Sequence, residues 1–317
     1  MNSLISICIP TYKRPDLLLC AVQSCLNQTY HNIEIIISDD SPDELSEVAI
    51  VQLQRSDRIR YYRNAQPLGQ AGNVNQLFYL AQGDRLVLIH DDDWLLEDAV
   101  STLIQVWDDH PDLVACFGKQ FVASMDGKIL EKDSNQLNCH YFRSEKYAGL
   151  QSSSQWSALM GQFPNNGYMI LTEVARAVGY RDGATVGDAC DYDFGLRIAK
   201  NQSAFYFIDK YVSAYRLTDN SILRNNNYSD ITFNLVKELD LPASIEPSRR
   251  ERLQQYASPA VSKLLKKGRK KQALAIYMSD HYTLQNRLSV KGFIHFVLLC
   301  LPGNLLPVVE NMLNFCW

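Results

Sequence analysis

The chain has 317 residues, 46% of them hydrophobic and 21% charged, which is enough apolar material for a large core and too much for a disordered chain. The formal net charge of −4 hides an asymmetry: residues 1–245 hold 20 Lys/Arg against 31 Asp/Glu, and residues 246–317 hold 11 against 4. A body of net −11 excludes a uniformly basic nucleic-acid binder, and a tail of net +7 asks for a different partner.

Eight cysteines are scattered without a C-x-x-C pair, which argues against structural zinc or a disulfide framework and for a reducing cytosol. The first residues, MNSLISICIPTYKRPD, have no basic stretch before the apolar run and read as a first strand rather than a signal peptide. The longest hydrophobic run, Phe293–Leu301, contains His295 and falls far short of the ~20 residues that span a bilayer.

In chain order, Leu4–Ile9 reads as a buried strand, Asp16–Gln28 as a helix, Ile33–Ser38 as a strand, and Pro42 to about Gln54 as a helix. Ile59–Arg63, Arg85–His90 and Leu113–Gly118 follow as strands, separated by helices at Gly72–Ala81 and Glu97–Asp108. This alternation predicts an α/β fold with a mostly parallel sheet covered by helices on both faces. From 119 to 217 the pattern is irregular, with a hairpin turning at Asp126–Gly127, a helix start at Ser152–Ser154, a helix over Asp191–Lys200, and strands near Ala204–Phe207 and Val212–Arg216. Thr218–Tyr228, with four Asn, reads as a loop or linker, and residues 229–317 as helical.

Ligands of open parallel sheets bind beyond the carboxyl ends of the strands, and the polar clusters fall there. Strand one ends in Pro10-Thr11-Tyr12-Lys13-Arg14, strand two in Asp39-Asp40-Ser41, and strand four in His90-Asp91-Asp92-Asp93-Trp94. The first loop has no glycine, so neither a dinucleotide-binding G-x-G-x-x-G turn nor a P-loop is present. Three consecutive aspartates repel one another, and a hard divalent ion such as Mg²⁺ or Mn²⁺ would neutralise them while leaving positions for phosphate. The alternative is that one aspartate caps the next helix and the others are solvated.

Together, ISICIPTYKRP, IEIIISDDS and LIHDDDW resemble the family 2 glycosyltransferases over about residues 3–220. The resemblance implies the GT-A fold, Rossmann-like and mostly parallel with flanking helices, and a catalytic domain at 1–220. Beyond it, the sequence pattern itself reads 221–317 as a helical, basic and apolar C-terminal region. By position in the motifs, Pro10, Thr11, Tyr12, Arg14, Asp40 and Asp92 would bind the nucleotide sugar, and Asp93 with Asp91 the divalent metal, Mn²⁺ or Mg²⁺. His90 stands where many members have aspartate and is not counted as a ligand.

GDACDYDFGLRIAK (187–200) resembles the family's E-D-x-x-x-x-x-R stretch, with Cys190 in place of the glutamate. Asp191 is then the general base, which a sugar hydroxyl needs to become a nucleophile, and Asp188 is its local rival. Asp193 and Arg197, four apart, could pair across one helical turn. YRLT (215–218) resembles the family's Y-R-x-H, with Thr218 replacing the histidine; Arg216 would serve the diphosphate or pair with an acid. Phe163–Gly167 (FPNNG) falls where an acceptor loop is expected, or is a plain turn. Trp94 and Trp156 could stack on a sugar, Trp94 more plausibly as packing.

The expected activity is an inverting, metal-dependent glycosyltransferase that uses a nucleotide sugar, UDP-linked, and a glycan or polyprenyl-linked acceptor, with no nucleic acid as partner. A non-catalytic nucleotide-sugar-binding subunit is the second reading, and a nucleotidyltransferase is weaker because its Gly-rich phosphate loop is missing. Val261–Gln272 (VSKLLKKGRKKQ) carries six basic residues and no acid ahead of the apolar Phe293–Leu301 and Leu305–Val309. That pattern predicts peripheral attachment to an anionic membrane surface, and the resemblance implies that this is the inner face of the cell membrane, in a cytoplasmic protein.

Overall fold

The computed structural model describes residues 3–53, 57–200, 203–218 and 229–301. The chain divides into two compact units, residues 1–186 with 190–221, and residues 187–189 with 222–317.

The first unit is built on strands β1 (Ile5–Thr11), β2 (Ile33–Asp39), β3 (Ile59–Arg63), β4 (Arg85–Leu88), β5 (Trp94–Leu95), β6 (Ala115–Ala123), β7 (Gly149–Leu150), β8 (Tyr168–Leu171) and β9 (Phe205–Arg216). They form one sheet in the order β3-β2-β1-β4-β8-β6-β9-β5, with β7 also on β9. Strands β3, β2, β1 and β4 are parallel, with Ile5 beside Ile33 and Arg85. β8 runs antiparallel between β4 and β6, and β6 and β9 are parallel again.

Helices α1 (Pro15–Leu26), α2 (Leu45–Val51), α3 (Gly69–Leu80), α4 (Ala99–Asp109), α5 (Glu131–His140), α6 (Ser154–Leu159), α7 (Thr172–Val178), α8 (Gly183–Val186) and α9 (Cys190–Ala199) complete the unit. β1 and β2 are buried at nearly every position because both faces of a parallel sheet are covered, and Ile5, Ile7, Ile9, Ile35 and Ile37 are fully buried with Leu18, Val22, Val87 and Trp107. Each buried isoleucine is worth about 1.5–3 kcal/mol relative to exposure.

Three sequence expectations change here. The two strands expected near Ala204–Phe207 and Val212–Arg216 are one strand, β9, irregular opposite Gly118–Gln120, where Lys119 pairs with Asp209 at 2.9 Å. α5 arises from the polar run Glu131–His140, which has no apolar stripe, because Ser134 and Asn138 are its buried positions and bond to β6. β8 is the third surprise, a four-residue strand that enters between two parallel neighbours. The loop expected at Thr218–Tyr228 lies, beyond Thr218, outside the described residues.

The second unit is helical, with helices at Ser229–Lys237, Glu246–Lys266, Lys270–Tyr277, Leu284–Leu288 and Val290–Cys300. Its core includes buried Phe233, Leu253, Val261, Leu265 and Tyr282. His295 is fully buried between the hydroxyls of Ser262 and Tyr282, at 2.9 and 2.7 Å. The stretch Leu305–Val309 lies outside the described residues. Among the described residues, no helix is long and apolar enough to cross a membrane.

Gly167, just before β8, has φ +70°, and a Cβ there would sit 2.4 Å from Ser213 Oγ. Gly167→Ala should therefore cost about 1–3 kcal/mol through backbone strain and overlap. The midpoint of urea unfolding will fall; an unchanged midpoint would contradict the tight approach.

Candidate active site

Because β2, β1 and β4 are adjacent and parallel, their carboxyl-end loops leave the same edge of the sheet. After β1 the chain reverses at Lys13, whose φ of 57° is left-handed, and its N–H donates to Ser41 Oγ at 2.7 Å. The reversal aims Arg14 at the β4 loop. Its Nη1 lies 3.2 Å from Asp91 Oδ1 and 2.7 Å from Asp92 Oδ2.

Thr11 Oγ1 (2.8 Å) and the Tyr12 N–H (3.3 Å) also donate to Asp91. Asp91 is thereby committed to the β1 loop, although the sequence pattern had set it beside Asp93 as a metal ligand. Its pKa is nonetheless raised, by burial first and by Asp92 second. Tyr12 is exposed, Thr11 is buried, and Pro10 lies within β1 opposite Ser38.

Asp39 accepts the Ser41 N–H at 2.7 Å and the Tyr61 hydroxyl. Asp40 receives the Leu68 N–H on both oxygens, each at 3.1 Å, and the Asn64 amide at 2.7 Å. It clamps the 64–68 loop beside the end of β2, where a nucleotide base was expected.

Asp93 is fully buried, with Oδ1 accepting the Arg216 N–H at 2.8 Å and Oδ2 the Asn166 amide at 2.5 Å. Burial, then the negative charge of Asp92, pushes its pKa up to about 8. His90 Nδ1 stands 3.9 Å from Asp93 Oδ2. Burial lowers the His90 pKa, but Asp191, Asp93, Asp92 and Asp91 together outweigh it, so His90 is held above its ordinary value.

One ligand atom each from His90, Asp92 and Asp93 falls within 4.8 Å of the others. Among the described residues this is the donor set that fits a divalent cation, with His90 in the set and Asp91 outside it. The raised carboxyl of Asp93 beside a second carboxylate is what such a site looks like before its charge is balanced.

Among the described residues, Arg216 makes no ion pair with an acid. Its Nε donates to the Asp92 carbonyl (2.9 Å), its Nη1 to the Met125 carbonyl (2.8 Å), and its guanidinium lies 4.8 Å from the centre of the Trp94 ring. Arg216 and Trp94 thus brace the loop that carries the carboxylates. Thr218 is buried. Asn166, expected as an acceptor-facing amide, instead faces Asp93 and, at 3.3 Å, His90 Nδ1. Trp156 packs with Tyr147 and Phe142, ring centres 5.7 and 5.3 Å away.

Asp191 lies in the first turn of α9, where the helix N-terminus favours an anion. Tyr180 donates its hydroxyl to Asp191 Oδ1 at 2.8 Å. Tyr180 was not expected from the sequence; it is fixed by paired bonds to Asn75 (2.7 and 2.9 Å) and by the Phe194 ring at 4.7 Å, a contact with no signature in spacing. The Asp191 pKa is raised by burial, with the charge of His90 and the Tyr180 bond pulling it back. Asp188 is exposed, and Asp193 pairs with Arg197 at 2.7 Å and with Arg181. Cys190 is buried.

Residues 6–163 match the family model "Glycosyl transferase family 2". A Campylobacter jejuni protein named GalNAc(5)-diNAcBac-PP-undecaprenol beta-1,3-glucosyltransferase is 33% identical over 154 residues, 46% of this chain and 49% of that one. WfaP of Escherichia coli, named a UDP-Glc:alpha-D-GlcNAc-diphosphoundecaprenol beta-1,3-glucosyltransferase, is 35% identical over 101 residues, 32% of this chain and 40% of its own. The alignments thus span about half or less of these relatives.

The structure of Staphylococcus aureus TarS 1-349 in complex with UDP superposes with a TM-score of 0.63 at 12% identity, covering 92% of this chain and 88% of that one. The mannosyltransferase PcManGT of Pyrobaculum calidifontis, in complex with GDP-Man and Mn²⁺, gives 0.56 at 13% identity over 93% and 85%. Such likenesses speak for the fold, and the fold is GT-A. The chain belongs to the family 2 glycosyltransferases.

In metal-free protein, the raised Asp93 carboxyl contributes stability that is full below about pH 4 and lost as pH rises through about 8. Asp93→Asn removes that loss. Thermal melts in EDTA should show the variant gaining on wild type between pH 4 and pH 8; a difference independent of pH would contradict the assignment.

Proposed function

We propose that this protein is an inverting, metal-dependent glycosyltransferase. It would move a sugar from a UDP-linked donor to a lipid-linked glycan in the synthesis of a surface polysaccharide. Residues 1–220 would be the catalytic domain and 221–317 an appended helical region. The observation that carries the reading is one electrostatic unit at the end of the sheet, in which the charge of Asp191 acts on His90 inside the His90, Asp92 and Asp93 cluster.

The names of the two relatives point to a diphosphoundecaprenol-linked acceptor, and one of them to UDP-glucose. Structures of TarS exist with UDP and with UDP-GlcNAc. Tyr12, Thr11, Pro10 and Asp40 would form the wall for base and ribose, and Arg14, half-exposed over Asp92, would meet the diphosphate. Asp93, Asp92 and His90 would hold Mn²⁺ or Mg²⁺, which when bound neutralises charge on the departing nucleoside diphosphate.

Asp191 would take the proton of the acceptor hydroxyl as that oxygen bonds to the anomeric carbon and the carbon–diphosphate bond breaks on the opposite face. A single displacement inverts the anomeric centre. Tyr180 would keep the carboxylate oriented and ionised through the step.

The exposed apolar side chains of the second unit support membrane attachment. Leu274, Met278, Leu284, Leu288, Val290, Phe293, Phe296 and Val297 are all exposed within 24 residues. Residues 252–301 hold nine Lys/Arg and one acid, Asp280. An anionic inner membrane face attracts such a surface with about 1 kcal/mol per basic residue near it, and it would bring the enzyme to a lipid-linked acceptor.

Asp191→Asn should lower turnover of a UDP-sugar about 10²- to 10⁴-fold while UDP binding by calorimetry is retained, and Asp93→Ala should abolish EDTA-sensitive turnover. Full activity in either variant would remove the role assigned to that residue, and donor binding without any turnover would fit a non-catalytic subunit. Replacing Phe293 and Phe296 by Ser should release the protein from sedimenting vesicles rich in anionic lipid; unchanged sedimentation would refute the membrane face.

A further inference from the structure

Arg143, in the turn after α5, is buried, and among the described residues no carboxylate lies within ion-pair distance of it. Its Nε donates to the Gln162 carbonyl at 2.8 Å, Nη2 to the Gly161 carbonyl at 3.3 Å, and Nη1 to Gln120 Oε1 at 2.7 Å. Burial lowers its pKa to about 10, which leaves it charged at neutral pH. A cation buried without a counter-ion is costly, so its hydrogen bonds must do something that an apolar side chain could not.

Following the bonds outward gives a direction. Guanidinium only donates, so the oxygen of Gln120, not its nitrogen, must face Arg143. That turns Gln120 Nε2 toward Asn166, which it reaches at 3.3 Å on Oδ1 and 3.3 Å on the backbone oxygen. Asn166 then has its oxygen occupied and must present Nδ2 to Asp93 Oδ2, at 2.5 Å. The two ends of the chain, a pure donor and a carboxylate, fix both amides, and Gln120 and Asn166 are nearly or fully buried.

We propose that Arg143, Gln120 and Asn166 form a polarised amide relay whose task is to orient the Asp93 carboxylate toward the divalent cation. These are positioning residues: they act through Asn166 on Asp93 and do not touch substrate. The proposal rests on the metal reading given above. It extends that reading to three residues from β6, the turn after α5 and the loop before β8, so that one element is spent on holding another element's ligand.

The sharpest variant is Gln120→Glu. A glutamate there pairs with Arg143 and should preserve folding, but its outer oxygen accepts where Gln120 donated. Asn166 must then turn its own oxygen away from an acceptor, and it can no longer offer Nδ2 firmly to Asp93. Outer-shell changes of this kind typically cost about 10- to 100-fold in metal affinity.

Mn²⁺ binding to the full chain with UDP present, followed by loss of the free-ion paramagnetic resonance signal, should weaken by that factor in Gln120→Glu. The melting temperature without metal should be equal to or above wild type. Arg143→Lys, which keeps a charge and one donor toward Gln120, should retain more of the affinity than Arg143→Met. Unchanged or tighter Mn²⁺ binding in a folded Gln120→Glu protein would overturn the relay. Absence of Mn²⁺ binding by the wild-type protein would overturn the metal reading itself, and the relay with it.

Discussion

The active-site end of this fold is organised by the repulsion among carboxylates crowded after β4. Asp91, Asp92 and Asp93 follow one another in a place from which water is largely excluded, and each resolves its charge differently. Asp91 is tied to the β1 loop by Thr11, Tyr12 and Arg14; Asp92 shares Arg14; among the described residues Asp93 takes neutral donors on its two oxygens, the Arg216 backbone N–H and the Asn166 amide. The charge left over is thus concentrated on one side of the loop, with His90 beside it. The left-handed turn at Lys13, the bracing of Trp94 by Arg216 and the tight approach at Gly167 are all devices that keep this crowded arrangement in one geometry.

Asp191 belongs to the same electrostatic system. Its burial would neutralise it, and the helix start, the Tyr180 hydroxyl and the nearby His90 counter that tendency. The net effect holds the carboxyl above its ordinary value, the direction that strengthens it as a proton acceptor.

The sequence made β1 to β4 and the three polar loops legible for a physical reason. Strands covered on both faces are largely apolar, so Ile35–Ile37 announces itself, and the polar residues that end such a run mark the open end of the sheet. α5 was illegible because its buried positions are Ser134 and Asn138, which satisfy β6 by hydrogen bonds rather than by apolar area. β9 looked like two strands because Asp209 and Lys210 interrupt its apolar pattern at the irregularity opposite Gly118. In the site, the aspartates could be found by spacing. That Asp91 turns to the β1 loop while His90 joins Asp93 depends on χ angles and on Arg14, which no one-dimensional pattern records. Tyr180, Gln120 and Arg143 were invisible for the same reason, since each acts through a contact between distant segments.

The inverted strand β8 has an architectural consequence. Between the end of β6 and its return as β8 in the gap between β4 and β6, the chain makes an excursion from Ser124 to Gly167 that is anchored at both ends by strand pairing and touches the sheet again through β7 on β9. The excursion is therefore stitched to the sheet along its length, by Ser134 and Asn138 on β6, Arg143 on Gln120 and β7 on β9, and it delivers an amide to Asp93 as it re-enters.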